Sequence, residues 1–323
     1  MRRKKFLSNL TYAGMGMSCF GMTASVSKTK KKTISFNMEK KFFKISLAQW
    51  SIHKMIDEGK ISPYSFAELA KKWGFEGLEY VNDLYKDVMN AKSKSIALKQ
   101  FIEKNNKLAQ QHELKNLLIM IDNEGDLSVT NKNDQLDAIE NHKPWIETAA
   151  QMGCHSIRIN LFGTNNISDW KKTSIDSLGA LADYAKPYNL NILVENHGYL
   201  SSDAKLLIEV INSVNKDNCG TLPDFGNFCL RREGDERWDT PCIEEYDKYV
   251  GVEELMVKNM GSVSAKSYGF DKNGYETSIN YDRMMRILKK ANFSGYIGVE
   301  YEGESLSEEA GTLATRDLLL KYI

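Results

Sequence analysis

The chain has 323 residues, 43 basic and 43 acidic, with 42% of positions hydrophobic, enough for one large domain or two small ones. The charge is unevenly spread: eleven basic residues and one acid lie up to Lys44, which leaves 32 basic against 42 acidic, a net of about −10. A body this acidic is unsuited to gripping phosphate backbones, so nucleic acid is excluded as a partner.

Residues 1–28 are laid out as an export signal: Arg2-Arg3-Lys4-Lys5, then a modestly apolar run from Leu10 to Ala24. The Arg2-Arg3 pair followed by Phe6-Leu7 resembles a twin-arginine leader, and the expected location is outside the cytoplasm, in the periplasm. A plain basic tail is the other reading. Gly16-Met17-Ser18 before Cys19 is a poor lipobox, so no lipid anchor is expected. Residues 29–41 form a basic linker, and no later stretch is apolar enough to span a membrane. Five cysteines (19, 154, 219, 229 and 242) lack CxxC spacing. Their odd number speaks against a disulfide framework, and they are expected as buried small hydrophobes.

From residue 42 onward, strand and helix patterns alternate. Phe43 to Trp50 reads as a first strand, and Ser62-Pro63 opens a helix that runs to Trp73. Phe75 to Val81 is a second strand, Ser93 to His112 a helix, and Asn116 to Asp122 a third strand. A helix from Asp134 to Met152 precedes the fourth strand, His155 to Phe162, and Trp170 to Tyr188 is helical. Asn191-Ile192-Leu193-Val194-Glu195-Asn196-His197-Gly198 is a buried strand running into polar groups, and Ser201-Ser202-Asp203 caps the next helix. Cys219 to Asp224 is the sixth strand, followed by a long polar loop, Phe225 to Pro241, and a helix from Ile243 to Leu255. Gly261 to Ser267, a helix from Tyr281 to Ala291, Tyr296 to Tyr301 and a helix from Ser307 to Tyr322 complete the pattern.

Eight strand–helix units in about 280 residues match an α/β fold, a single-domain (β/α)8 TIM barrel over residues 42–323. A doubly wound sheet would favour a glycine-rich turn after the first strand, where Trp50-Ser51-Ile52-His53 stands instead. Strand residues alternate sides, so one parity faces the lumen. That parity gathers Glu195 and His197, Asp224, Ser264 and Lys266, and Glu300 and Glu302 at one rim. Gln49, Glu79, Asp122, Arg158 and Asn160 are the candidates opposite. Carboxylates brought this close need a metal, a cation or shared protons. Glu195, Asp224 and Glu300 suggest an oxygen-rich divalent site for Mn, Mg, Co or Zn, with His197 near it.

Val194-Glu195-Asn196-His197, Pro223-Asp224-Phe225-Gly226-Asn227 and Gly295-Tyr296-Ile297-Gly298-Val299-Glu300-Tyr301 occur in that order. Together they resemble the xylose isomerase-like TIM barrels, the sugar phosphate isomerase/epimerase family. The resemblance implies a divalent metal held by Glu195, Asp224, a histidine and Glu300. The histidine position falls on Ser264-Ala265-Lys266-Ser267, where serine replaces it and the lysine is kept. Either three carboxylates and water hold the metal, or Lys266 is itself the cation.

The implied reaction is proton transfer next to a carbonyl, with the metal or Lys266 facing the enediolate oxygen and Glu195 and Glu300 as acid and base. Isomerisation, epimerisation and elimination from a 3-keto-glycoside share that first step. Expected substrate contacts are His197, Asn160, Arg158, Asn227, Trp50 and Glu79. Trp238, Tyr199, Tyr268 and Phe228 are further candidates to stack on a sugar face, and Arg231 and Arg232 to meet an anionic group. The expected partner is a small carbohydrate, with no nucleic acid and no membrane span, and a homo-oligomer is left open. A non-catalytic sugar-binding module is the alternative that the missing histidine favours. An apurinic endonuclease with several zinc ions would need more than the five histidines present.

Overall fold

A computed structural model describes residues 43–323, so the expected export signal, Cys19 and the linker lie outside the described residues. In chain order the strands are β1 Lys44–Ala48, β2 Gly77–Val81, β3 Lys115–Met120, β4 Ser156–Ile159, β5 Asn191–Glu195 and β6 Cys219–Leu222. They continue as β7 Cys229–Arg232, β8 Cys242–Glu245, β9 Ser262–Ser267 and β10 Tyr296–Tyr301. The helices are α1 His53–Asp57, α2 Phe66–Lys72, α3 Lys86–Met89, α4 Lys94–Gln111 and α5 Lys132–Gln151. They continue as α6 Ile167–Ala185, α7 Ala204–Val214, α8 Lys248–Leu255, α9 Tyr281–Lys290 and α10 Glu308–Leu320.

Eight parallel strands run in the order β6-β5-β4-β3-β2-β1-β10-β9. The ring closes between β6 and β9 through single bridges, Thr221 with Asn259 and Asp224 with Ser264. Ser264 N donates to Pro223 O at 2.9 Å and Phe225 N to Ser264 O at 3.1 Å. The seam thereby sets Asp224 beside Ser264.

Helices α5 to α10 each begin at a side-chain cap. In α7, Asp203 accepts from Leu206 N at 3.0 Å, and Leu206, Leu207, Val210, Ile211 and Val214 face inward. Asn215, left-handed at φ 51°, ends it. In α9, Asn280 caps and Tyr281, Met284, Met285 and Leu288 recur at helical spacing on the buried face.

Register decides what meets in the lumen. Met120, Arg158 and Leu193 lie abreast, as do Glu195 and Leu222, Ser264 and Gly298, and Lys266 and Glu300. Gly298 leaves room for a neighbour: a Cβ there would lie 2.4 Å from Glu79 Oε2.

Three expectations need correction. The first strand stops at Ala48, and Gln49–Ile52 forms a 3-10 turn. The cause is Gln49, whose amide donates to Pro63 O and Tyr85 Oη and accepts from Val81 N, so it braces the barrel instead of facing a pocket. The expected polar loop after the sixth strand and the start of the next helix are an antiparallel hairpin, β7 with β8. Helix α8 begins only at Lys248 because Asp247 caps it, accepting from Tyr249 N and Val250 N. Cys229 and Cys242 are joined in a disulfide across that hairpin, against the expectation of five free thiols. A separation of 13 residues spanning a turn at Gly234 was the available signal. Cys154 and Cys219 are buried and free, as expected.

Candidate active site

Glu195 ends β5, Asp224 follows β6 and Glu300 lies on β10. One carboxylate oxygen from each falls within 4.8 Å of the others. The three residues are 1%, 0% and 4% exposed. Three acids this close and this dry demand compensation. Lys266, fully buried, supplies part of it: Nζ donates to Glu300 Oε1 at 2.6 Å and Glu302 Oε1 at 2.9 Å. It stands 3.9 Å from Asp224 Oδ2. Ser264 donates to Glu300 Oε2 at 3.1 Å.

Asp224 divides its two oxygens. Oδ1 closes the turn after β6, accepting from Gly226 N at 2.8 Å and Asn227 N at 2.7 Å. Oδ2 is buried in the cluster and receives no well-aligned hydrogen bond. Asn196 pins the same turn, accepting from Asp224 N at 2.8 Å and donating to Asp224 O and Asn227 O at 3.1 Å each.

A second network covers Glu195. Arg158 Nε lies 2.8 Å from Glu195 Oε2, and Nη1 donates to Asp122 Oδ1 at 2.9 Å and Asn160 Oδ1 at 3.2 Å. Asn160 Nδ2 donates to Asp122 Oδ1 at 2.7 Å. An ionised carboxylate only accepts and a guanidinium only donates, so the orientation of the Asn160 amide is fixed. Its Oδ1 then receives the proton from His197 Nδ1 at 2.8 Å. His197 is therefore protonated at Nδ1, and its Nε2 carries the free lone pair. Burial, helped by the charge of Arg158, lowers the His197 pKa to about 3 and keeps the ring neutral.

The acids are held in different states. Burial pushes Glu195 well above the ordinary carboxylate range, against the opposing charge of Arg158. Burial raises Asp224 to about 6, with Lys266 opposing. Burial also acts on Glu300, but the Lys266 ammonium outweighs it and leaves Glu300 below its ordinary value. Lys266 is likewise penalised by burial, yet Glu300, Glu302 and Asp224 raise it well above the usual lysine range.

Above this cluster lies a cavity of about 1010 Å³. Trp50, Arg158, Asn160, His197, Asn227 and Glu300 line it, all of them expected site residues. Glu195, Asp224 and Lys266 are not part of its lining. Asn227 links the layers by donating to Glu195 Oε1 at 3.2 Å. Glu79 lies deeper: it is 1% exposed, accepts from Ser46 Oγ at 2.5 Å and is absent from the cavity wall. Of the other aromatics, Trp238 and Tyr268 line the cavity, whereas Phe228 is buried core and Tyr199 donates to Asp235 O. Arg232 reaches the wall, while Arg231 pairs with Glu244 on the exposed hairpin. Sequence reasoning took Phe162 as the end of the fourth strand, whereas it lies beyond β4 on the cavity wall, and missed the pair Arg237–Asp126, which is on loops with no periodicity to mark it.

A profile of the family described as xylose isomerase-like TIM barrel matches residues 67–322. The chain belongs to that family. Among curated relatives, inosose isomerase of Halalkalibacterium halodurans is 23% identical over 167 residues, 48% of this chain and 56% of that protein. The match thus spans little more than half the length of that relative. A structure titled IOLI protein with a binding zinc atom superposes with a TM-score of 0.61 at 19% identity, covering 87% of this chain and 99% of the other. The 3-keto-D-glucoside 4-epimerase YcjR from E. coli gives 0.60 at 15% identity, covering 80% and 94%. At these identities the structures share the fold of this xylose isomerase-like barrel. Its buried acidic triad is a place that a metal ion would fit.

Proposed function

We propose that the chain is a carbohydrate isomerase or epimerase that moves a proton at the carbon next to a carbonyl. The observation that carries this reading is the trio of carboxylate oxygens within 4.8 Å of one another beneath a cavity of about 1010 Å³. The similarity to inosose isomerase and to a keto-glucoside epimerase supports a carbohydrate substrate. The donor set fits a divalent ion: three carboxylates converge, and the buried Asp224 Oδ2 lacks a donor. Glu195, Asp224 and Glu300 would hold it, with water in place of the missing histidine. When bound, the ion would supply positive charge against the developing oxyanion of the enediolate.

The protein's own groups do the rest. Glu300, on the cavity wall and ionised by its 2.6 Å contact with Lys266, takes the proton from carbon. The C–H electrons pass into a C=C bond, and the carbonyl oxygen gains the charge. Return of the proton is assigned to Glu195, whose carboxyl burial pushes well above the ordinary range. His197 Nε2, Asn160 and Arg158 orient the sugar hydroxyls. Elimination of a β-substituent from a keto-glycoside shares the same first step and is the second reading.

The disulfide Cys229–Cys242 supports an oxidising, extracytoplasmic location for the barrel, in keeping with the export signal expected over residues 1–28. Among the described residues no helix is long and apolar enough to cross a membrane.

The test is hydrogen exchange in deuterated water. The protein should wash deuterium into the α-position of a keto-sugar, and Glu300→Gln should slow this by about 10²-fold or more. A protein that binds the sugar and exchanges nothing is a binding module.

A further inference from the structure

The mouth of the cavity carries an aromatic platform that a single reacting sugar at the carboxylates leaves unused. Trp238, 41% exposed, stands edge-on to Phe162 with centroids 5.5 Å apart and leans on His197 at 5.1 Å. The Arg237 guanidinium covers the Phe162 ring at 4.5 Å and holds Asp126 through two contacts, 2.6 and 3.3 Å. These groups come from four separate segments. The segment bearing Trp238 is fixed at its base by the Cys229–Cys242 disulfide and along its length by Tyr199 Oη donating to Asp235 O at 2.9 Å. The platform is therefore held in place before any ligand arrives.

Size points the same way. Cavities of about 300–1,000 Å³ bury drug-sized ligands, and this one is about 1010 Å³. A lone six-carbon sugar over Glu300 fills only its inner part. An exposed indole with charged and polar neighbours suits a pyranose ring, which offers C–H groups to the aromatic face and hydroxyls to the surrounding carboxylates and guanidiniums. Arg232, Arg237, Asp126 and Asp239 on the same wall supply those partners.

We infer that Trp238 and Phe162 form an outer subsite for a second sugar ring, so that the substrate is a disaccharide-type glycoside rather than a free monosaccharide. This rests on the reading that the inner carboxylates act on a sugar. His197 is the contact between the two positions: its ring packs on Trp238 and Phe162 while its Nδ1 binds the inner-site Asn160.

Titration calorimetry on the full chain tests the inference with 3-keto-glucose and 3-keto-cellobiose as probes. The disaccharide should bind at least about tenfold more tightly, and Trp238→Ala should bring the ratio of the two Kd values close to one. Phe162→Leu, a milder change, should reduce the ratio in the same direction. Equal affinities in the unaltered protein, or a ratio that both variants leave intact, would overturn the subsite. Deuterium exchange into 3-keto-glucose reports separately on the inner carboxylates, so exchange with no preference for the disaccharide sinks the subsite alone. Binding of neither probe overturns the inference together with the reading beneath it.

Discussion

Glu79 shows how far the lumen departs from ordinary carboxylate behaviour. It is buried, takes one hydrogen bond from Ser46, and has no donor at Oε2. Burial raises its pKa to about 8 from 4.5, and nearby Glu300 adds to the effect. The folded protein thus keeps a proton that the unfolded chain releases. Below pH 4.5 both states are protonated and no penalty exists. As pH rises from 4.5 toward 8, the group costs up to about 1.4 kcal/mol per unit. Glu79→Gln should therefore stabilise the protein, and by more at pH 8 than at pH 5. Urea unfolding of both proteins at the two pH values measures this, and an equal difference at each pH would contradict it. At this scale the sequence was a good guide to which three acids meet. Glu195, Asp224 and Glu300 each sit where a strand's apolar run meets a polar tip, and parity alone aims them inward. It was a poor guide to Gln49 and Glu79. Gln49 falls in the 3-10 turn after β1, and Glu79 follows a shift in register between β2 and β3, neither of which is visible to a pattern of period two.

Elements that obey a repeat were legible, and those that obey a local covalent or capping event were not. The eight barrel strands and their principal helices follow from alternation and caps. Strand ends were overextended because the polar tips Asp122, Asn160 and His197 lie beyond the last paired residue, bonded to one another instead of to a neighbouring strand. The β7–β8 hairpin carries charged, exposed residues with no alternation, and its organising bond is the disulfide. Closing a loop of 13 residues is worth about 3 kcal/mol in the chain-entropy account. Most of that should be felt locally, because the hairpin is exposed and leans on few core residues. Cys229→Ser is expected to speed amide hydrogen exchange across 229–245 while leaving β1 to β6 protected. Uniform acceleration throughout the barrel would show instead that the cross-link holds the whole fold.

For the molecule as a whole, the central quantity is charge buried at one end of the barrel. Among the described residues, Glu195, Asp224 and Glu300 have Lys266 and Arg158 as ion-pair partners. A divalent ion binding the folded state alone would add stability by mass action, about 2.7 kcal/mol at a hundredfold excess over Kd. Calorimetric scans should show a rise of several degrees in Tm with added Mn²⁺ or Mg²⁺, reversed by chelator and absent in Asp224→Asn. An unchanged Tm in the unaltered protein would identify Lys266 as the resident counter-ion.

The cross-linked hairpin leaves the barrel after β6 and returns at α8, so both ends are anchored to the cylinder and its tip overhangs the entrance. Such an appendage is a replaceable cassette. Libraries that randomise positions 233–241 between the two half-cystines would reshape the entrance while the barrel strands stay unaltered.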